Sequence, residues 1–396
     1  MGISEHSPIL PTGQRWGRAT WSSGRCPSRD RHVAAAAVLA VAVVVFAVST
    51  WAYTRLPAAM RPRPTPQALA PGHRWLQAWS WWDGAWYVHI ARYGYHFVPG
   101  RQSSVAFFPA YPLLIRALSG VVGDAVMAGF LVTLTCGVAA ALLFHRWSVE
   151  HFGPDTARHA LAALLLYPCS FYLFGAIYAD ALLLVAVLAS FLLLEHDRPL
   201  LAGIAGAVAT AARPSGIALV IGLWVRAVER RGRTTAGLLL APAGLVLYCL
   251  YLWAKAGSPL AFVAAETGWH QTPGLRTWLK VSWLHGMLRP PYLDPPHAHL
   301  VGNAFAAVVA LSLVPAVFRR LGRGYGVYVL TLLAGSALST KNFVGMGRYA
   351  LAAFPCFAVV GDRLAERRSL RWAVLATSAL LLVSLTELHA RNMLIS

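Results

Sequence analysis

AFFPAYPLLIRAL (residues 106–118) is the stretch on which the sidedness of this chain turns. It is apolar enough to enter a membrane, but Pro109 and Pro112 stand near its start and Arg116 lies within it. A helix needs about 20 apolar residues to cross a hydrocarbon core of about 30 Å. About 13 residues interrupted in this way fit along an interface better than across it. If the stretch crossed, every later loop would change sides.

Composition supplies the setting. The chain has 396 residues, 57% hydrophobic and 12% charged, with a mean hydropathy of +0.55. Soluble domains carry about 25% charged residues, so this is an all-α polytopic membrane protein. Apolar runs near 33–53, 125–144, 159–177, 180–195, 200–212, 214–226, 235–254, 300–318, 325–340, 347–361 and 370–388 predict about ten to eleven transmembrane helices. The runs at 200–212 and 214–226 are broken by ARPSG. Each half is too short to cross without tilt or local thinning, which predicts two half-length or steep helices meeting at a polar tip.

The formal charge of +19 raises nucleic acid as a partner. The arginines lie between the apolar runs, however, where a membrane chain uses them to fix its orientation, and nucleic-acid binding is set aside. With the amino terminus cytoplasmic and 106–118 interfacial, the inner segments are HRWSVEHFGPDTAR, EHDRP, RAVERRGRTT, RRLGRG and DRLAERRSLR. Four of the five are basic or contain arginine clusters, as the positive-inside tendency asks. The outer segments become 54–124, the YAD tip at 178–180, the RPSG tip, 255–299 and KNFVGMGR at 341–348. The unusual polar motifs all fall on one face.

Three regions follow. Residues 1–32 form a disordered basic cytoplasmic tail, and the first apolar run behind it is too long for a signal-peptide core and reads as a retained anchor. Residues 33–254 form the core, with a large first outer loop at 54–124. Residues 255–396 hold a Trp/His-rich outer loop and the last helices. Cys136, Cys169, Cys249 and Cys356 sit inside apolar runs and Cys26 outside them, which leaves no disulfide framework or zinc spacing. His297 and His299 have no evident third ligand, so no metal site is assigned; a divalent-metal requirement stays open. Walker-type loops, HExxH and GxSxG are absent.

The outer loop carries WSWWDGAWYVHIARYGYHF (residues 79–97), in which Asp83 is the one acidic residue. Asp83 is either a cap or ion-pair partner in an interfacial helix, Trp and Tyr being headgroup-belt residues, or a functional group. Carboxylates near a bilayer are costly and tend to be functional, and this face has few others: Asp124, Asp180, Glu266, Asp294 and Glu387. A partly desolvated carboxylate among aromatic rings suits removal of a proton from a hydroxyl acceptor while a sugar leaves a phosphate. Arginines supply forked donors for that phosphate.

WDGAWYVHIARYGY followed by AFFPAYPLLIR, YPCSFYLFGAIYADALLL, ATAARPSGIAL, LYLWAKAGSPLAFVAAETGW and GRYALAAFPCFAV resembles the PIG-V-type mannosyltransferases. These add the second mannose in GPI-anchor assembly in eukaryotes and have many bacterial relatives. The likeness runs from about residue 79 to 361. It implies a GT-C type fold and an inverting transfer of a hexose, mannose, from a polyprenyl-phosphate donor to a lipid or glycan acceptor, with Asp83 as general base. Trp82, Trp86, Tyr87, Phe108, Pro109 and Tyr178 are then expected to shape the substrate site, and Arg213 and Arg348 to hold the leaving phosphate. Asp180 stands where relatives usually carry Glu, and is a second acid, an acceptor binder or the ion-pair partner of Arg213. The GC-rich style of composition points to a bacterial plasma membrane with the site on the outer face. A transporter or lipid flippase with a polar outer cavity, and a non-catalytic assembly subunit, are the competing readings.

Overall fold

The computed structural model describes residues 28–56, 74–230, 235–272, 274–290 and 295–393. Most of the expected tail, with Cys26, and Asp294 lie outside them. Among the described residues the structure is helical, without strands.

Helix α1 (Ser28–Arg55) begins before the expected boundary at residue 33. Asp30 in its first turn favours the positive end of the helix dipole, so the helix runs back into the charged segment. The first outer loop supplies α2 (Asp83–Tyr93) and α3 (Ala110–Val122). At 13 residues α3 is about 20 Å long, too short to span. It buries Tyr111, Pro112 and Ile115 while leaving Leu113, Leu114 and Val121 open. Arg116 has a specific task here: its Nε donates to Ala91 O at 2.7 Å, neutralising the carbonyl end of α2.

The core follows as α4 (Ala125–Phe152), α5 (Pro154–Leu165), the single turn α6 (Phe171–Phe174), α7 (Asp180–Glu195), α8 (Pro199–Ala212), α9 (Ile217–Glu229) and α10 (Ala243–Ala256). The run expected as one helix at 159–177 stops at Leu165, because Pro168 cannot continue it. The 200–226 region forms two short helices joined through the Arg213–Gly216 tip, as its sequence implied. The second outer loop holds α11 (Ala261–Ala265), α12 (Leu275–Trp278) and α13 (Val281–Met287). The chain ends with α14 (Pro295–Ser312), α15 (Val314–Leu321), α16 (Arg323–Ser339), the short α17 (Met346–Tyr349), α18 (Phe354–Glu366) and α19 (Arg368–Ala390).

Among the described residues, five stretches are long and apolar enough to cross a membrane: Asp30–Arg55, Ala125–Phe152, Ala236–Ala256, His297–Leu321 and Arg368–Ala390. The other expected spans are shorter or divided. Helix α7 lies at the centre, packed against α4 and α8, while α5 packs on α18, α9 on α16 and α1 on α19. Close approach depends on small residues: a Cβ at Gly244 would fall 2.0 Å from Ala207 O, so α10 can meet α8 there only through glycine.

Candidate active site

Four segments far apart in sequence meet at one end of the bundle. The loop before α2 is joined to the segment before α7 by a backbone bond from Ile177 N to Trp79 O at 2.9 Å. The Trp79 indole lies over Gly175, where a Cβ would come within 2.7 Å of the ring. Tyr178 completes the joint: its buried hydroxyl accepts from Asp83 N at 3.3 Å and lies 3.4 Å from Trp81 O. Between these residues Trp82 has φ 55° and ψ −119°, a conformation that L side chains rarely adopt. Strain of this kind costs about 1–3 kcal/mol and persists where the surroundings over-determine it. Here it turns the chain so that α2 opens with Asp83, its carboxylate at the positive end of the helix.

Asp83 Oδ2 accepts from Arg348 Nη1 at 2.7 Å. Arg348, in α17, is nearly enclosed, with 7% of its side chain exposed against 33% for Asp83. Its guanidinium lies over Tyr178, Tyr349 and Tyr172 at 5.0, 5.2 and 5.6 Å from the ring centroids. Asp180, first residue of α7 and buried, accepts from Arg213 Nη1 at 2.7 Å, and Arg213 in turn rests on Tyr349 at 4.9 Å. Arg348 Nε and Asp180 Oδ2 are 4.0 Å apart, and neither has a hydrogen-bond partner. The result is a line of alternating charge, Asp83–Arg348–Asp180–Arg213, that opens to solvent at its Asp83 end and has spare bonding capacity in its middle.

The aromatic residues divide into two sets. Trp86 is stacked on Phe107 at 5.6 Å and on His96 at 6.0 Å, with Trp269 edge-on at 5.7 Å. Tyr87 is buried against Phe107 and Tyr111. These rings frame the site, while Trp82 keeps an exposed ring next to Asp83, at 42%. Phe108 and Pro109, expected to shape the substrate site, lie apart from these rings. The Phe108 ring is buried against Tyr248 and Phe262 at 4.9 and 5.2 Å, in a separate cluster, and Pro109 caps the start of α3. Phe107 is the member of the FFP motif that faces Trp86.

Asp124 and Glu387 on this face have structural partners. Asp124 caps α4 by accepting from Met127 N at 2.7 Å and pairs with Arg92 at 3.4 Å; Glu387 pairs with Arg391. Glu266 is different and was not singled out by sequence. Its turn packs beside the site, and its carboxyl is pushed up to about 7 by burial first and the Asp83 charge second, with Arg213 opposing. Among the described residues no three His, Cys, Asp or Glu side chains converge as a metal cluster, and His297 and His299 lie along α14.

No protein-family model matches the chain, and no curated protein matches it, so likeness to the PIG-V-type family rests on the sequence motifs. Solved structures do match. ArnT from Cupriavidus metallidurans bound to undecaprenyl phosphate superposes with a TM-score of 0.50 at 13% identity, over 90% of this chain and 76% of that one. The chain shares the fold of that protein. The apo oligosaccharyltransferase of Archaeoglobus fulgidus is also similar, at TM-score 0.44 and 14% identity, over 89% of this chain and 55% of its own. At these identities the likeness concerns architecture, and the chemistry has to be argued from this chain's own residues.

Proposed function

We propose that the chain is an inverting membrane glycosyltransferase that moves a hexose, mannose, from a polyprenyl-phosphate donor to a hydroxyl of a lipid-linked or secreted acceptor. The observation that carries this reading is the Asp83 carboxylate, one oxygen on a buried arginine and the group itself open to solvent. The acceptor hydroxyl gives its proton to Asp83 as its oxygen bonds to the anomeric carbon. The bond from that carbon to the phosphate oxygen breaks, and the phosphate takes the electron pair and the charge.

Arg348 and Arg213 are the cations available for the departing phosphate, and forked guanidinium donors suit it. In the resting site Arg348 is engaged by Asp83. A donor phosphate that draws Arg348 inward would release Asp83 for the proton and bring Arg348 Nε toward the unpartnered Asp180 oxygen. The solved ArnT structure holds undecaprenyl phosphate, a carrier of the proposed class. The arginine-rich loops at the opposite end support a cytoplasmic amino terminus and a site on the outer face of the plasma membrane.

The test uses purified protein in lipid with radiolabelled polyprenyl-phosphate mannose and host lipid and glycan extract. Label transfer in the wild type that disappears in Asp83→Asn, with donor still bound, supports the reading. Donor bound by the wild type without turnover overturns it in favour of a transporter.

A further inference from the structure

Residues 340–345 join α16 to α17, the turn that carries Arg348, and the second outer loop holds this linker and the helix end before it. Gln271 Oε1 accepts from Lys341 N at 3.1 Å. The Trp283 ring stands edge-on to Phe343 at 6.0 Å. Lys280 makes a third attachment. Its Nζ donates to the carbonyls of Ala337 and Thr340 and lies 4.8 Å from the centroid of the Phe343 ring. The ammonium thus meets the carbonyl end of α16, where positive charge is favoured, and a ring face that attracts it.

Both partners of that last contact are strained. Lys280 has φ 55° and Phe343 φ 59°, in the left-handed region, which non-glycine residues keep where the surroundings over-determine it. The bend at Phe343 has a visible product. Phe343 O accepts from Met346 N at 3.1 Å, which opens α17. Gly345 follows at φ 80°, and Tyr349 N donates back to Gly345 O at 2.8 Å. The bundle also holds the turn, through the Tyr167 hydroxyl, which donates to Gly347 O at 2.9 Å. A single turn is not stable by itself, so the place of Arg348 depends on how the turn is held at its start.

We infer that Lys280 is a positioning residue for the phosphate-binding arginine. Through Phe343 and the start of α17 it sets where the Arg348 guanidinium lies, 2.7 Å from Asp83 and 4.0 Å from the free oxygen of Asp180. This rests on the proposed reading of Arg348 as a cation for the donor phosphate, and extends that reading to the second outer loop. The Lys280 ammonium is engaged by two carbonyls and a ring, so it acts through Arg348 and not on the phosphate.

The experiment measures affinity for bare polyprenyl phosphate, by intrinsic tryptophan fluorescence, with the full chain in lipid. Lys280→Met keeps the stem and removes the ammonium. Binding should weaken about tenfold, the scale of one charge-assisted hydrogen bond, and Lys280→Arg should restore it. Arg276→Met removes an exposed charge from the same loop and should leave affinity within about twofold, which separates positioning from general attraction of an anion. A double-mutant cycle shows whether Lys280 works through Arg348: in an Arg348→Lys background, Lys280→Met should weaken binding by less than about twofold. If Lys280→Met does not fold, Phe343→Leu removes the ring and leaves the carbonyl bonds, with an expected loss of about threefold in the same cycle.

Unchanged affinity in Lys280→Met, even with a lower melting temperature, overturns the inference. So does a loss of equal size with and without the Arg348 substitution. A wild type that binds no polyprenyl phosphate overturns both the inference and the reading beneath it. Binding that is lost in Lys280→Met, in a protein that transfers no sugar, supports the positioning role and contradicts the transferase.

Discussion

Helix α7 carries a buried carboxylate at each end, Asp180 and Glu195, about 22 Å apart along its axis. The two are treated in opposite ways. Glu195, at the carbonyl end where a negative charge is disfavoured, meets Arg226 at 2.9 Å, the Tyr325 hydroxyl at 2.8 Å and His151 at 3.1 Å. Tyr325 also takes the Trp147 indole N–H at 2.7 Å, so α4, α7, α9 and α16 are fastened together around a group 1% exposed. Asp180, at the favourable end, has one bond, from Arg213, and an oxygen left over. Its neighbour Arg348 is committed to a third residue that water can reach. Both networks hold buried atoms without a hydrogen-bond partner, Glu195 Oε2 and Arg226 Nε at one end and Asp180 Oδ2 and Arg348 Nε at the other. They differ in that three side chains from separate helices converge on Glu195, whereas Asp180 has one bond and its network runs out to Asp83 at 33% exposure, where a ligand can compete.

That contrast can be broken most forcefully at the closed end. Glu195→Ala should cost about 3–5 kcal/mol, because Arg226 is left buried without its main partner, and thermal or denaturant unfolding would record it. Transfer per folded molecule should be nearly unchanged. A comparable loss of activity with little loss of stability would erase the distinction between the ends. At the open end, Arg348→Lys keeps the charge and removes the fork. About 1.5–3 kcal/mol of charge-assisted bonding corresponds to a fall in kcat/KM of about 10- to 150-fold, measured with the polyprenyl-phosphate sugar. The smallest effect is expected at Tyr178→Phe, which removes the hydroxyl at the backbone of Asp83. About 1 kcal/mol gives a roughly fivefold lower transfer rate with donor affinity held, and a change confined to affinity would contradict a role in aiming the base.

Much of this arrangement could be read from sequence because local rules govern it. The bounds of α7 match the run at 180–195, an unbroken apolar stretch between a polar YAD and EHDRP. Residues 106–118 were legible as a short helix because two prolines and an arginine interrupt a run of about 13 residues; the bond from Arg116 to Ala91 O was not. A helix break was misjudged where a proline sits inside an apolar run: Pro168 ends α5 early. Average hydrophobicity hides such breaks, whereas the missing N–H does not permit the helix.

The site was legible in its residue types and not in its pairing. Asp83, Asp180, Arg213 and Arg348 stood out as charges in apolar surroundings. That Asp83 would meet Arg348, 265 positions away, depends on helix packing that no spacing rule records. Phe108 and Phe107 are adjacent and chemically identical, and only the turn into α3 decides which faces Trp86. Glu266 carried little signal, one of two acids in a Trp-rich loop, and its turn is brought beside Trp86 by the docking of Trp269.

The most direct measurement compares label transfer from polyprenyl-phosphate mannose in three proteins at matched folded concentration: wild type, Asp83→Asn and Glu195→Gln. An open catalytic end and a closed structural end require transfer to fall at least about a hundredfold in Asp83→Asn, the scale of a lost general base. The rate in Glu195→Gln should stay within about twofold of wild type, despite reduced stability. Transfer that survives Asp83→Asn, or that vanishes equally in both variants while they remain folded, would contradict the assignment of the chemistry to the Asp83 end.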